Sequence, residues 1–478
     1  MEIFWDVVEK TVVYTSLKQV VYIGLDSSVD QDIRWHESIP FLPLHTVEFL
    51  YDGRITWYSD SQSLHILRPA FQIYQAQLLR NEWLHAYPFT KAEFFQKIPK
   101  NQHVMVLKVQ NEWVKIVTNQ GYIGWVPKIA LDYTPLQSPR YIVPEKPNEI
   151  KSDTKKICMT WHYVYQTMSE PKEFYVVKEL DVLSPTWLSL ANAQGDIVDK
   201  GRKDYMDWAH QHQYQVWIGC TNSFDPDWTH NILESTKKRK ALIDAILSKV
   251  IQYDAEGVNL DWENINLADK DLFTQFMREL YPVFQQNNLI VSIDITTISE
   301  SENWSLCYDR EKLGKVTDYI VLMAYDQYWA GGGESGSVAE YGWVQKGIQE
   351  LVELVPSYKV ILGIPFYSRL WIEDHSSNPI AAESESYYME YAMELGDTYG
   401  AKWESRIRQY YAQWDKYPYV YKLWIEDTKS VSYKVQLVHM YNLAGAAFWR
   451  KGYEKTEIWP VIRQILDNPG QNLDDVSR

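Results

Sequence analysis

Cysteine is scarce in this chain: Cys158, Cys220 and Cys307 are the only three in 478 residues. Their number is odd and their spacing wide, which excludes a disulfide framework. Cys158 and Cys220 sit in strand-like runs and read as small buried hydrophobes. No apolar run approaches the roughly 18 residues that a membrane-crossing helix needs. A basic excess is missing too. The net charge is −16 and the isoelectric point about 5.2, which argues against nucleic acid as a partner, because phosphate binding needs clustered Lys and Arg. It argues equally against simple electrostatic adhesion to anionic wall polymers. No repeat of 20–50 residues and no low-complexity tract is present. Metal and phosphate motifs are lacking. His36-Glu37 has no second histidine at zinc-helix spacing, and Gly331-Gly332-Gly333 is not followed by Lys-Ser or Lys-Thr. His210 and His212 stand two apart in a polar stretch without a cysteine partner and read as solvated. The N-terminus has no basic region followed by an apolar core.

Large cores, by contrast, are well supplied. Hydrophobic residues make up 46% of the sequence, and the length suggests about three domains. Trp (21) and Tyr (35) are unusually plentiful. Flat aromatic rings stack on the apolar C–H faces of sugars, so this excess fits carbohydrate binding; core and interface packing accounts for it equally well.

The most informative stretch is Glu256-Gly257-Val258-Asn259-Leu260-Asp261-Trp262-Glu263. Apolar and polar residues alternate. In a strand, Asn259, Asp261 and Glu263 share one face, with Val258, Leu260 and Trp262 on the other. A buried row of acid-type groups is costly unless it is paired or used. At the C-terminal end of a barrel strand it reads as catalytic.

This stretch resembles the Asp-Gly-x-Asp-x-Asp-x-Glu signature of glycoside hydrolase family 18, the chitinases and their relatives, whose fourth barrel strand carries the proton donor. Two positions depart from the signature: Glu256 replaces the first Asp and Asn259 the middle one. An Asn at the middle position is similar to the branch acting on bacterial and spore-cortex peptidoglycan. Glu256 reads as a surface or helix-facing carboxylate with no catalytic role. Three further segments follow in the expected order. Asp318–Trp329 resembles the sixth strand, with Met323, Tyr325 and Asp326 in a Met-x-Tyr-Asp motif and Gln327 where cell-wall relatives often have an acid. Val360–Trp371 resembles the seventh strand and Leu443–Trp449 the eighth.

The resemblance implies an α/β fold, a (β/α)8 TIM barrel over residues 153–466. Its strand candidates are Ile157–Tyr163, Val182–Trp187, Val216–Thr221, Gly257–Glu263, Ile290–Ile295, Tyr319–Tyr325, Val360–Phe366 and Ala444–Trp449. Continuous apolar runs of this kind are what parallel strands buried on both faces require. Residues 372–432 are too long for a simple loop and read as a small α+β insertion walling one side of the cleft. Small all-β modules precede the barrel. Residues 1–80 form a β-rich module that loosely resembles one found ahead of copper amine oxidases, with no copper implied. Residues 81–133 resemble a bacterial SH3-like domain, on Trp113 and Gly124-Trp125-Val126 and with Asn119-Gln120-Gly121 as a turn. Wall-peptide binding and a spacer role both remain open for it. Residues 134–152, with Pro135, Pro139, Pro144 and Pro147, read as a semi-rigid linker, and 467–478 as a frayed tail.

Carried over residue by residue, the resemblance implies Glu263 as general acid and then base, Asp261 as hydrogen-bond partner of the substrate acetamide, and Tyr325 on the acetamido carbonyl. Asn259 relays a hydrogen bond to Asp261. Asp326 meets a sugar hydroxyl, Trp449 is the floor beneath the sugar, and Arg369 and Trp329 line the cleft. The triple glycine at 331–333 lets its loop pass close to substrate. Neither metal nor cofactor is implied. The expected substrate is an N-acetylglucosamine-containing glycan, peptidoglycan ahead of chitin. A chitooligosaccharide hydrolase and a non-catalytic lectin-like binder are the alternatives; Glu263 counts against the second. An extracellular or wall-associated location is implied, with a leader trimmed from this sequence.

Overall fold

A computed structural model describes residues 74–132, 155–165, 175–377 and 380–469, together with short segments between 2 and 67. The expected linker lies outside the described residues, and so does the tail from residue 470. By compactness the chain divides into two units, 25–151 and a second that joins 1–24 to 152–478.

The larger unit is a closed parallel barrel. Its eight strands are β1 (Ile157–His162), β2 (Val182–Leu190), β3 (Gln215–Thr221), β4 (Gly257–Asp261), β5 (Ile290–Thr296), β6 (Tyr319–Met323), β7 (Val360–Pro365) and β8 (Gly445–Trp449). Each pairs in parallel with the next in order, β7 reaching β8 across a long intervening segment, and β1 closes the ring against both β8 and β2. All eight expected strands are present. Helices such as Thr236–Tyr253, Lys270–Gln285 and Thr428–Met440 connect them, and the core between helices and sheet is a continuous layer of Val, Ile, Leu and Phe. Gly363 on β7 is dictated by space: a Cβ there would come within 2.7 Å of the Leu322 carbonyl and 3.3 Å of the Tyr325 ring.

The segment between β7 and β8 is the expected insertion, but it begins earlier and ends sooner than 372–432. After one residue, Phe366, the chain leaves β7 and enters strand Tyr367–Asp374, the second strand of a five-stranded antiparallel sheet that also holds Ala381–Tyr388, Lys402–Glu404, Gln409–Lys416 and Tyr419–Ile425. Helix Met389–Thr398 covers its core of Leu370, Ala392, Leu423 and Ile425. Residues 428–440 are a barrel helix, with Asp427 and Ser430 forming its capping box. The boundary moves because Arg369 to Asp374 pair with Tyr419 to Trp424, which commits them to the insertion sheet.

The root of the insertion is a buried ion pair. Glu426 accepts two 2.8 Å bonds from Lys434, with further bonds from Gln409 and Ser430 at 2.7 Å. Both charged side chains are fully buried. A second buried pair, Arg239 with Glu279, links two barrel helices, and the Tyr22 hydroxyl donates to Glu279 at 3.3 Å. Tyr22 ends a three-stranded sheet, Glu2–Asp6, Thr11–Thr15 and Val20–Ile23. Residues 1–80 are therefore not one module: this sheet goes with the barrel, while the hairpin Arg54–Tyr58/Ser63–Leu67 belongs to the smaller unit.

That unit is built on a seven-stranded antiparallel sheet from Tyr74–Leu78 to Leu131–Asp132, curled around Ala76, Leu78, Leu84, Val104, Val114, Ile116 and Val126. Its first strand starts before residue 81, because Gln75 to Gln77 pair with His103 to Met105. Gly121, at φ +84°, makes the turn expected at Asn119-Gln120-Gly121.

Removing one partner of a buried ion pair leaves an uncompensated charge, at a cost of about 3–5 kcal/mol. Lys434→Met should lower barrel stability by about that amount, read from urea unfolding by tryptophan fluorescence. Adding Glu426→Gln should recover part of the loss.

Candidate active site

The alternation in β4 works as its sequence indicates up to Asp261, where the strand ends. Asn259 and Asp261 face the barrel interior. Trp262 turns outward and stacks on Phe276 at 4.7 Å between centroids. Glu263 lies in the turn that follows, held by its backbone rather than by the ladder. Asn222, at the end of β3, accepts from the Glu263 N–H at 3.1 Å and donates to its carbonyl at 2.7 Å. The buried Tyr308 hydroxyl donates to the Trp262 carbonyl at 2.8 Å.

Asn259 is the most fully bonded side chain of the site. Its Oδ1 accepts from Trp161 Nε1 at 2.9 Å and from Ser184 Oγ at 3.2 Å; its Nδ2 donates to Ser292 Oγ at 3.0 Å and to Asp294 Oδ1 at 2.7 Å. The indole N–H can only donate, so the amide oxygen must point at Trp161 and the amide nitrogen at Asp294. Asn259 thus relays to Asp294, whereas the sequence implies a relay to Asp261; among the described residues Asp261 Oδ1 is buried with no hydrogen-bond partner.

Three carboxyl groups are concentrated here. Burial pushes Asp261 up to about 7. Burial, with the charges of Asp261, Asp294 and Asp326 behind it, holds the Glu263 carboxyl well above the ordinary range. Burial followed by the charge of Asp261 does the same to Asp294.

Aromatic rings surround this layer. Trp161 meets Tyr325 edge-on at 6.5 Å and Trp449 at 5.7 Å, and Tyr163 meets Trp449 at 6.2 Å. Asp326 follows at φ +55°, a left-handed conformation that aspartate tolerates better than most residues. It accepts from the Tyr367 hydroxyl at 2.5 Å and from Arg369 at 2.8 Å. Arg369 is buried and belongs to the insertion sheet. Trp329 stands more than half exposed on the loop after β6, with Gly331 tucked against its ring.

The structure therefore brings Asn259, Asp261, Glu263, Tyr325, Asp326, Trp449 and Arg369 to the C-terminal mouth of the barrel, with Trp329 on the loop beside it. Glu256 lies at the opposite end of β4, where it accepts from the Val216 N–H at 2.7 Å and pairs with His210 at 3.1 Å. The His210 side chain is 32% exposed. Sequence reasoning misses Trp161, Asn222, Tyr367 and above all Asp294. Ser292 and Asp294 do repeat the i, i+2 polar spacing inside the apolar run of β5, and that was the available signal.

Comparisons with known proteins agree with this geometry. The family model for glycosyl hydrolases family 18 matches residues 160–454, and that for the bacterial SH3 domain matches 84–131. The chain is 31% identical to the putative sporulation-specific glycosylase YdhD of Bacillus subtilis over 48% of this chain and 55% of that protein. It is 22% identical to the cortical fragment-lytic enzyme of the same organism, over 50% and 56%. The chain thus spans little more than half the length of these two relatives. The crystal structure of a chitinase from Chromobacterium violaceum superposes with a TM-score of 0.59 at 20% identity, covering 66% of this chain and 99% of that one.

An acid whose folded pKa is raised binds more protons folded than unfolded, so its contribution to stability falls as pH rises between the two values. For Asp261 that window runs from its ordinary 3.8 to about 7. Asp261→Asn should therefore gain thermal stability relative to the parent as pH rises from 4 to 7, read as the difference in Tm at the two pH values.

Proposed function

The chain belongs to glycosyl hydrolases family 18, and on that premise we propose that it cleaves β-1,4 bonds next to N-acetylglucosamine in peptidoglycan, with retention of configuration. The observation that carries this reading is the buried Glu263 carboxyl at the mouth of the barrel, held well above its ordinary range by burial and then by its neighbours Asp261, Asp294 and Asp326. An acid held this way can donate to a leaving oxygen near neutral pH.

Family 18 is an exception to the two-carboxylate scheme of glycoside hydrolysis, because the substrate supplies its own nucleophile. Glu263 gives its proton to the glycosidic oxygen as the C1–O bond breaks. The 2-acetamido carbonyl oxygen attacks C1 and forms an oxazolinium ion. Asp261 accepts the acetamide N–H and stabilises the charge that develops there, while the Tyr325 hydroxyl donates to the acetamido carbonyl. Glu263, now a carboxylate, takes a proton from water, which opens the ring at C1. Two inversions give net retention. The Trp449 ring supplies the apolar floor beneath the sugar, backed by Trp161 and Tyr163. Asp326, fixed by Tyr367 and Arg369, presents its other oxygen to a sugar hydroxyl, and Trp329 adds an exposed aromatic face at the rim.

Peptidoglycan is preferred to chitin because of what the relatives are named for, sporulation and cortex fragments, and because a bacterial SH3 domain accompanies the barrel. That module would hold the enzyme on wall peptides, and the reading implies action at the cell wall, outside the cytoplasm.

Mass spectrometry of products from purified peptidoglycan and from chitooligosaccharides tests this directly. Muropeptides with a new N-acetylglucosamine reducing end are expected, and Glu263→Gln should lower kcat/KM by about 10²–10⁴-fold. Cleavage of chitooligosaccharides alone would move the substrate to chitin. Binding without cleavage would leave a lectin.

A further inference from the structure

Asp294 has no role in the chemistry described so far, yet its position is unusual. It is almost fully buried, its Oδ1 takes the 2.7 Å bond from Asn259, and among the described residues its Oδ2 has no hydrogen-bond partner. Asp261 Oδ1 is in the same condition. The register of β4 against β5 pairs Gly257 with Ile290, Val258 with Val291, Asn259 with Ser292 and Leu260 with Ile293. One more step sets Asp261 level with Asp294. Both point inward, two residues beyond Asn259 and Ser292, on parallel strands about 5 Å apart. Two carboxylates side by side in a buried layer cannot both be ionised cheaply. Among the described residues, no Lys or Arg hydrogen-bonds either of them.

We propose that Asp261 and Asp294 share a single proton, and that Asp294 is the positioning residue that takes this proton when Asp261 turns to the substrate acetamide. The step is balanced: the proton leaves the Asp261 carboxyl, the Asp294 carboxylate accepts it on Oδ2, and the pair carries one negative charge throughout. Asn259 makes the arrangement possible. It cannot hold the proton itself, but its amide nitrogen fixes Asp294 Oδ1 as an acceptor and leaves Oδ2 for the exchange, while its oxygen satisfies Trp161. The acid that the family signature places at 259 is thus supplied from the next strand. Titratable groups facing the pair are Glu263 from the turn after β4, Tyr325 after β6, Cys220 on β3 and Tyr308; Asp326 faces Glu263. None of them is a base that would remove the shared proton near neutral pH. This inference rests on the hydrolase reading for its kinetic consequence, but not for the proton itself.

Two measurements separate those dependences. In Asp294→Asn, one negative charge is gone, so Asp261 ionises at lower pH and Glu263 also loses its proton sooner. Both limbs of the kcat profile should move to lower pH by about 1 unit. The value of kcat at neutral pH should fall about tenfold with KM nearly unchanged, because Glu263 is then less often protonated. The exchange Asn259→Asp with Asp294→Asn returns the acid to β4 and should restore the profile, which a merely structural Asp294 would not permit. Infrared pH-difference spectra of the resting protein read the proton without activity. Beside the Glu263 band, the parent should show a second buried protonated carboxylic acid through neutral pH, and this second band should disappear in Asp294→Asn and equally in Asp261→Asn. An unmoved pH profile in Asp294→Asn, or a second buried acid band, beside that of Glu263, that survives either substitution, overturns the proposal. If the chain cleaves neither glycan, the spectra still decide, and a failed hydrolase reading is distinguished from a failed proton pair. If Asp294→Asn does not fold, Asp261→Asn decides through the same spectra.

Discussion

The side chain of Asn259 is the constraint on which the rest of the site depends. One amide joins four barrel strands by four hydrogen bonds, to Trp161 on β1, Ser184 on β2, and Ser292 and Asp294 on β5, with Asn259 itself on β4. Its capacity as donor and acceptor is fully used. Every carboxyl group of interest is positioned relative to that layer: Asp261 one step above it on the same strand, Asp294 one step above on the next, and Glu263 at the rim. An aspartate at 259 would add a fourth buried carboxyl group and would lose the donors that now face β5. Neutrality at this one position lets the acids above it crowd together without unfolding the barrel.

Burial then decides protonation. The Asp261 carboxyl is raised by loss of water, and those of Glu263 and Asp294 first by loss of water and second by neighbouring carboxyl groups. The barrel interior therefore does what a dedicated cation does elsewhere, with the opposite sign: it keeps protons on acids at a pH where water would take them. Aromatic rings complete the effect, since Trp161, Tyr325 and Trp449 close the layer with surfaces that solvate charge poorly.

Much of this was legible in the sequence. The eight strands are readable because each is a continuous apolar run, and Asn259, Asp261 and Glu263 because strand alternation aligns them. Less legible was whatever depends on a distant partner. Asp294 looks like a lone polar residue in a core strand until its neighbour strand is known. Tyr367 and Arg369 read as the end of β7, and only pairing with Tyr419 to Trp424 reveals them as insertion. The sheet of residues 2–23 reads as part of the following β-module, and its packing against the barrel helices, with Tyr22 bonded to Glu279 and under Lys240, assigns it to the barrel. Period and composition are local signals; register between strands is not.

A single residue, Phe366, separates β7 from the insertion strand that carries Tyr367 and Arg369, and both of those grip Asp326. Floor and side wall are one continuous piece of backbone at this edge, cross-tied by a charged clasp and anchored beside it by the Glu426–Lys434 pair, where the Glu426 N–H bonds Ser368. Such a corner has no slack in which a hinge could work. A shift of the insertion sheet at this edge would therefore carry both partners of Asp326 with it, so wall and barrel mouth answer to one displacement.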